Sequence, residues 1–212
     1  MTMMERWQDA LKTLPLVAIL RGLRASEALN MGEMLVEAGF RIIEVPLNSP
    51  DPFDSIRILA EALGHRAIVG AGTVLSVADV DKLHAVGGQI CISPNTNPDV
   101  IRRAKALGMI SFPAFFTPTE AFQAIDAGAD ALKLFPAELA GTTGLKAMKA
   151  VLPKTMPVFP VGGVTPDNMH DFLEAGAAGF GIGSAVFKPG DSPQIVYKKA
   201  KAFVDGWNAL HP

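Results

Sequence analysis

A closed (β/α)8 barrel is the fold class that the sequence predicts, on three observations. Eight short apolar runs alternate with amphipathic stretches along the 212 residues. The runs are apolar almost throughout, as strands of a parallel sheet covered on both faces must be. Gly39, Gly87, Gly108, Gly128 and Gly176 follow helix-like segments at intervals of 48, 21, 20 and 48 residues, which fits one βα unit per twenty-odd residues. An open doubly wound sheet shares the alternation and is the second reading. A chain of this length suits one domain over residues 1–212, with no linker or low-complexity segment to divide it.

The elements follow in order. A short N-terminal helix is expected near 5–13, then apolar runs at 15–20, 41–45, 67–71, 89–93, 109–112, 130–135, 157–161 and 178–182. Helices are expected between and after them near 26–38, 51–63, 77–86, 98–107, 118–127, 142–151, 166–175 and 193–209. Ser26, Ser76, Asn97, Thr117 and Thr165 stand where N-caps belong, and Pro98, Pro118 and Pro166 follow three of them at the first helical position.

Composition narrows the function classes. Lys and Arg number 19 against 21 for Asp and Glu, and no segment interleaves basic with aromatic residues, which argues against nucleic acid and acidic membrane surfaces as partners. No window approaches the roughly eighteen apolar residues of a membrane span, so the hydrophobic content belongs to the interior. Cys91 is the single cysteine, set in an apolar run where it reads as a small core hydrophobe, and the N-terminus does not resemble a secretion signal; a cytoplasmic protein is expected. His65, His84, His170 and His211 fall on helices or their ends, so no metal site is expected, and no dinucleotide glycine motif follows the first strand.

In such a barrel the active site lies at the C-terminal ends of the strands. Polar residues there are few: Arg21, Glu44, Asn48, Thr73, Ser93, Asn95, Lys133 and Ser184. Lys133, within Ala131–Phe135, is embedded in an apolar strand; burial lowers a lysine pKa and leaves a free amine able to attack a ketone. A lysine reaching past the strand end to solvent is the alternative. Glu44, within Ile42–Pro46, is the one acidic residue inside a strand-like run, poised either as a proton shuttle or as a structural partner of Lys133 or Arg21. Arg21 can hold a carboxylate or phosphate, or tie down barrel carboxylates. Gly162-Gly163 after the seventh strand and Gly181-Ile182-Gly183-Ser184 after the eighth occupy the phosphate position of this fold, where backbone N–H groups and a hydroxyl suffice to bind an anion.

These residues sit in motifs that carry a family resemblance: Ala18-Ile19-Leu20-Arg21-Gly22, Glu44-Val45-Pro46-Leu47-Asn48-Ser49-Pro50, Gly70-Ala71-Gly72-Thr73-Val74, Ser93-Pro94-Asn95, Leu132-Lys133-Leu134-Phe135-Pro136-Ala137 and Val161-Gly162-Gly163-Val164. From about Leu14 to Gly190 the chain resembles the class I 2-keto-3-deoxy-6-phospho-sugar-acid aldolases (KDPG and KDPGal aldolases). The resemblance implies a TIM barrel, usually a homotrimer, that needs no cofactor or metal. It also implies a Schiff base on Lys133, proton transfer by Glu44, substrate contacts from Arg21 and Thr73, and a phosphate held by Gly163, Gly183 and Ser184 beside Gly162. The substrates implied are a phosphorylated sugar acid and pyruvate. Asn48 and Val161, where the gluconate branch typically has arginine and threonine, resemble the galactonate branch, whereas Lys133–Glu138 reads more like the gluconate branch. Cleavage of 2-dehydro-3-deoxy-6-phosphogalactonate is therefore the leading expectation, with the gluconate epimer or both as the alternative. A phosphosugar isomerase or epimerase using Glu44 as base, and a noncatalytic phosphometabolite-binding barrel, are the rivals from other classes.

Overall fold

A computed structural model describes residues 1–211. Helix α1 (Met3–Thr13) precedes β1 (Leu16–Ile19), α2 (Ala25–Ala38), β2 (Ile42–Pro46), α3 (Pro52–Leu63), β3 (Ile68–Gly72), α4 (Val77–Ala85) and β4 (Ile90–Ser93). The second half continues with α5 (Pro98–Ala106), β5 (Ile110–Phe115), α6 (Pro118–Asp126), β6 (Leu132–Leu134), α7 (Ala137–Val151), β7 (Val158–Pro160), α8 (Met169–Glu174), β8 (Phe180–Ile182) and α9 (Pro193–Leu210). All strand pairs are parallel, in the spatial order β7-β6-β5-β4-β3-β2-β1-β8. A bridge from Val161 to Gly181 joins the two remaining edges, so the sheet closes into a (β/α)8 barrel instead of reversing as a doubly wound sheet does.

The strands have two apolar faces because each is covered twice. Outward residues such as Ile43, Val45, Val69, Leu132 and Leu134 pack under the helices, while Val17, Ile42, Ile68, Ile90, Ile110 and Phe159 fill the barrel. The N-terminal helix seals one end. Trp7 and Ala10 enter the interior cluster, and the Trp7 ring meets Phe112 edge-on at 6.2 Å, with Phe112 against Phe159 at 5.0 Å. Each such aromatic pair contributes about 0.5–1.5 kcal/mol beyond area burial. With that end closed, the interior opens at the C-terminal ends of the strands alone.

Local signals account for most boundaries. Ser76, Asn97 and Thr117 cap their helices through side-chain oxygens that accept from backbone N–H groups, and the five anticipated cap glycines take positive φ between 72° and 123°. Two N-caps differ. Helix α2 starts one residue earlier, with Arg24 at its N-cap and Ser26 inside the first turn. Thr165 caps no helix, because Asn168 draws residues 163–168 into a turn: its Oδ1 accepts the Thr165 N–H and its Nδ2 donates to the Gly163 carbonyl, each at 2.9 Å. Pro166 therefore lies in that turn and α8 begins at Met169. Helix α7 begins at Ala137, five residues before the anticipated start, with Gly141 at φ 62° breaking its first turn from the rest. No helix among the described residues is long and apolar enough to cross a membrane.

Candidate active site

A cavity of about 840 Å³ opens at the C-terminal end of the barrel. Of the site residues anticipated from sequence, Arg21, Thr73, Lys133, Gly162, Gly163, Gly183 and Ser184 line it. Glu44 sits beneath that wall, 2% exposed.

Lys133 reaches this place because β6 alternates: Leu132 and Leu134 face the helices, while Ala131 and Lys133 face the barrel interior. The lysine is 6% exposed, and its Nζ lies 5.0 Å from the centroid of the Phe135 ring. Burial pulls its pKa below the ordinary lysine range, against the attraction of Glu44 and with added repulsion from Arg21. Glu44 answers from β2, in register with Gly70 of β3 and Ile19 of β1. Burial raises its pKa, and the positive charges of Lys133 and Arg21 offset that in part. Its Oε2 is buried without a hydrogen-bond partner in the chain. As between a proton shuttle and a structural ion pair, Glu44 makes no ion pair to Lys133 or Arg21 among the described residues. An unpaired amine and an unpaired carboxyl, each pushed toward its neutral form, are suited to nucleophilic attack and proton transfer.

The space for Glu44 comes from β3, whose inward positions beyond Ile68 are the glycines Gly70 and Gly72. A Cβ on Gly72 would collide with the Glu44 carboxylate, so the missing side chain is the seat of the acid. Immediately after it, Thr73 takes φ 58°, a left-handed conformation that a β-branched residue adopts at a cost of about 1–3 kcal/mol and that recurs at functional sites. Arg21 is held by Asn48, whose Oδ1 accepts from Arg21 Nη1 at 2.7 Å. Asn48 itself stays off the cavity wall, so its contact with the cavity runs through that guanidinium.

The opposite wall is a cradle of backbone. Gly162 and Gly163 take φ 108° and 69°, which a side chain would strain. After β8 the chain turns over Gly183, whose carbonyl accepts from Val186 and Phe187. The N–H groups of Gly163, Val164, Ser184 and Ala185 donate to no group of the chain among the described residues. Asn168 holds the Gly163 carbonyl, so the N–H of the same peptide, on Val164, turns the other way and stays free. Free N–H groups and a serine hydroxyl lining one cavity are the kind of donors that suit an anion.

The sequence assigns no functional role to Phe135, Val164, Thr165, Phe187, Lys188 or Pro189, all of which line the cavity. Most are apolar or exposed side chains that nothing local marks as functional. No group of three or more His, Cys, Asp or Glu side chains is arranged to hold a metal among the described residues. Cys91 faces the helix layer, where burial pushes its thiol up to about 12.

Two outcomes test this geometry. Gly72→Ala has no backbone strain to suffer, yet its methyl must evict the Glu44 carboxylate; a loss of about 1–3 kcal/mol is expected from the urea midpoint at constant m-value. Unchanged stability would place the carboxylate elsewhere. The second outcome concerns Lys133, whose lowered pKa means that between its folded-state pKa and the ordinary lysine pKa the unfolded chain holds a proton the folded chain has lost, so folded stability rises with pH across that window. In a Glu44→Gln background, Lys133→Met should therefore stabilise the protein at neutral pH, by a margin that shrinks as pH rises toward the ordinary lysine pKa; a margin independent of pH would contradict the burial of the amine.

Comparison with known proteins identifies the family. Residues 7–195 match the family described as KDPG and KHG aldolase. The chain is 46% identical over 202 residues to the 2-dehydro-3-deoxy-6-phosphogalactonate aldolase of Escherichia coli (strain K12), covering 95% of this chain and 97% of that one. It is also 46% identical over 197 residues to a probable 2-dehydro-3-deoxy-6-phosphogalactonate aldolase of Rhizobium meliloti (strain 1021), covering 93% of each. A solved structure described as native KDPGal superposes with a TM-score of 0.92 at 45% identity, over 93% of this chain and 96% of that one. Architecture, cavity and sequence agree, and the chain belongs to the KDPG and KHG aldolase family.

Proposed function

We propose that this chain is a class I aldolase that cleaves 2-dehydro-3-deoxy-6-phosphogalactonate to pyruvate and D-glyceraldehyde 3-phosphate. The observation that carries the chemistry is Lys133, a buried lysine on the cavity wall that among the described residues has no ion-pair partner and has Glu44 as its only buried acidic neighbour. The relatives that share 46% identity supply the substrate.

The neutral Lys133 Nζ attacks the C2 ketone to give a carbinolamine, which loses water to form an iminium. Glu44 takes the C4 hydroxyl proton, the C3–C4 bond breaks, and its electron pair moves into the iminium to give an enamine as the aldehyde leaves. Glu44 then returns a proton to C3, and water hydrolyses the resulting iminium to pyruvate and free Lys133. In this reading Arg21, steadied by Asn48, and Thr73 contact the substrate from the cavity wall. Gly162, Gly163, Gly183 and Ser184 hold the phosphate, and this remote binding orients the reacting carbons. We also propose that the protein works in the cytoplasm as the homotrimer the family resemblance implies; Phe116, Phe122 and Leu139 are exposed apolar side chains available to such an assembly.

Borohydride trapping with pyruvate separates this reading from an isomerase and from a binding barrel, since the aldolase alone acquires a covalent adduct on Lys133. Lys133→Ala should abolish both adduct and cleavage, and Glu44→Gln should slow deuterium exchange at pyruvate C3 about 10²–10⁴-fold. Near wild-type turnover in Lys133→Ala, or unchanged exchange in Glu44→Gln, would remove that residue from its role.

Choice between the C4 epimers is assigned to Val161, which lines the cavity and offers shape without a hydrogen bond. Apolar selection of this kind is worth about 10–200-fold, so preference for the galactonate epimer should be partial. Val161→Thr should shift the ratio of kcat/KM values toward the gluconate epimer without loss of the pyruvate adduct. An unchanged ratio would show that another residue sets the preference.

A further inference from the structure

The phosphate cradle proposed above has no cation among its named parts. Gly162, Gly163, Gly183 and Ser184 offer N–H groups and a hydroxyl, which orient a dianion but leave its charge unmatched. The cavity holds three cationic side chains: Arg21, Lys133 and Lys188. The first two act at the reacting end. Arg21 is fastened to Asn48, and the charges of Arg21, Lys133 and Glu44 all influence one another. Lys188 stands apart from that group, one turn of chain beyond Ser184 on the loop that follows β8.

This loop is held in place from two sides. The Lys188 N–H donates to Asp191 Oδ2 at 2.8 Å, and Pro189 packs so close to Gly22 that a Cβ there would lie 2.7 Å from its Cγ. The same Asp191 oxygen accepts from Lys199 Nζ at 2.6 Å, and the Lys188 charge adds only a weaker attraction to that carboxylate. The Lys188 ammonium itself enters no ion pair among the described residues. An anchored backbone, an ammonium outside any ion pair on a flexible four-carbon stem and a position on the wall of the cavity that Ser184 also lines fit a phosphate-binding lysine.

We propose that Lys188 is the cation that meets the substrate phosphate, and so sets the preference for phosphorylated over phosphate-free sugar acids. The inference rests on the phosphosugar reading of this cavity. Its test compares kcat/KM for 2-dehydro-3-deoxy-6-phosphogalactonate with that for the same sugar acid lacking phosphate, in the wild-type protein, Lys188→Gln and Lys188→Arg. The ratio of the two values should fall about tenfold in Lys188→Gln, chiefly through KM of the phosphorylated substrate, and should be largely restored in Lys188→Arg. Added salt should raise that KM more steeply in the wild type than in Lys188→Gln, because the variant has one charge contact fewer to screen. A wild-type preference that survives intact in Lys188→Gln overturns the role of Lys188 alone. A wild-type enzyme indifferent to the phosphate overturns the phosphate reading itself, and the assignment of Lys188 with it.

Discussion

Burial of two ionisable groups of opposite sign in one apolar barrel is the constraint on which the rest of the structure depends. Lys133 and Glu44 attract each other, yet for both of them the loss of water outweighs that attraction. Were they in direct contact, a stable ion pair would result, with an inert ammonium and an inert carboxylate. The barrel holds them close enough to influence one another but unpaired, and each stays available to a reacting molecule.

That balance is maintained by residues remote from the chemistry. The Trp7, Phe112 and Phe159 cluster closes the far end of the barrel against water. Gly72 leaves the volume that the Glu44 carboxylate occupies. Phe135 lies over Lys133 and shields it, although its ring face also favours the charged amine, so desolvation decides the direction of the pKa. The opposite end of the cavity follows a different logic. Its glycines, free N–H groups and the Asn168 clip present fixed backbone dipoles, which need no change of protonation.

Several of these parts were legible before any coordinates. Glu44 and Lys133 stand out because a charged residue inside an apolar strand has few structural explanations, and the paired glycine motifs after the seventh and eighth strands occupy the phosphate position of this fold. Ser76, Asn97 and Thr117 announced their helices because an N-cap is a contact between residues two or three apart. Thr165 gave the same signal and capped nothing, since Asn168 competes for its N–H and holds the segment in a turn. Lys188 carried no local mark at all. An exposed lysine after a strand is ordinary until the loop is seen fastened between Asp191 and Gly22.

The sequence by itself determined the alternation of strands and helices, the two-sided burial of the sheet and the identity of the two interior charges, because all of these follow from side-chain periodicity and short-range contacts. Tertiary structure alone decided that the sheet closes through Val161 and Gly181, and that Glu44 lies unpaired against Gly72. It also decided that Asn48 bonds to Arg21 and lies off the cavity wall. Those outcomes join residues 20 or more positions apart, and their energies depend on distances between side chains that no local pattern encodes.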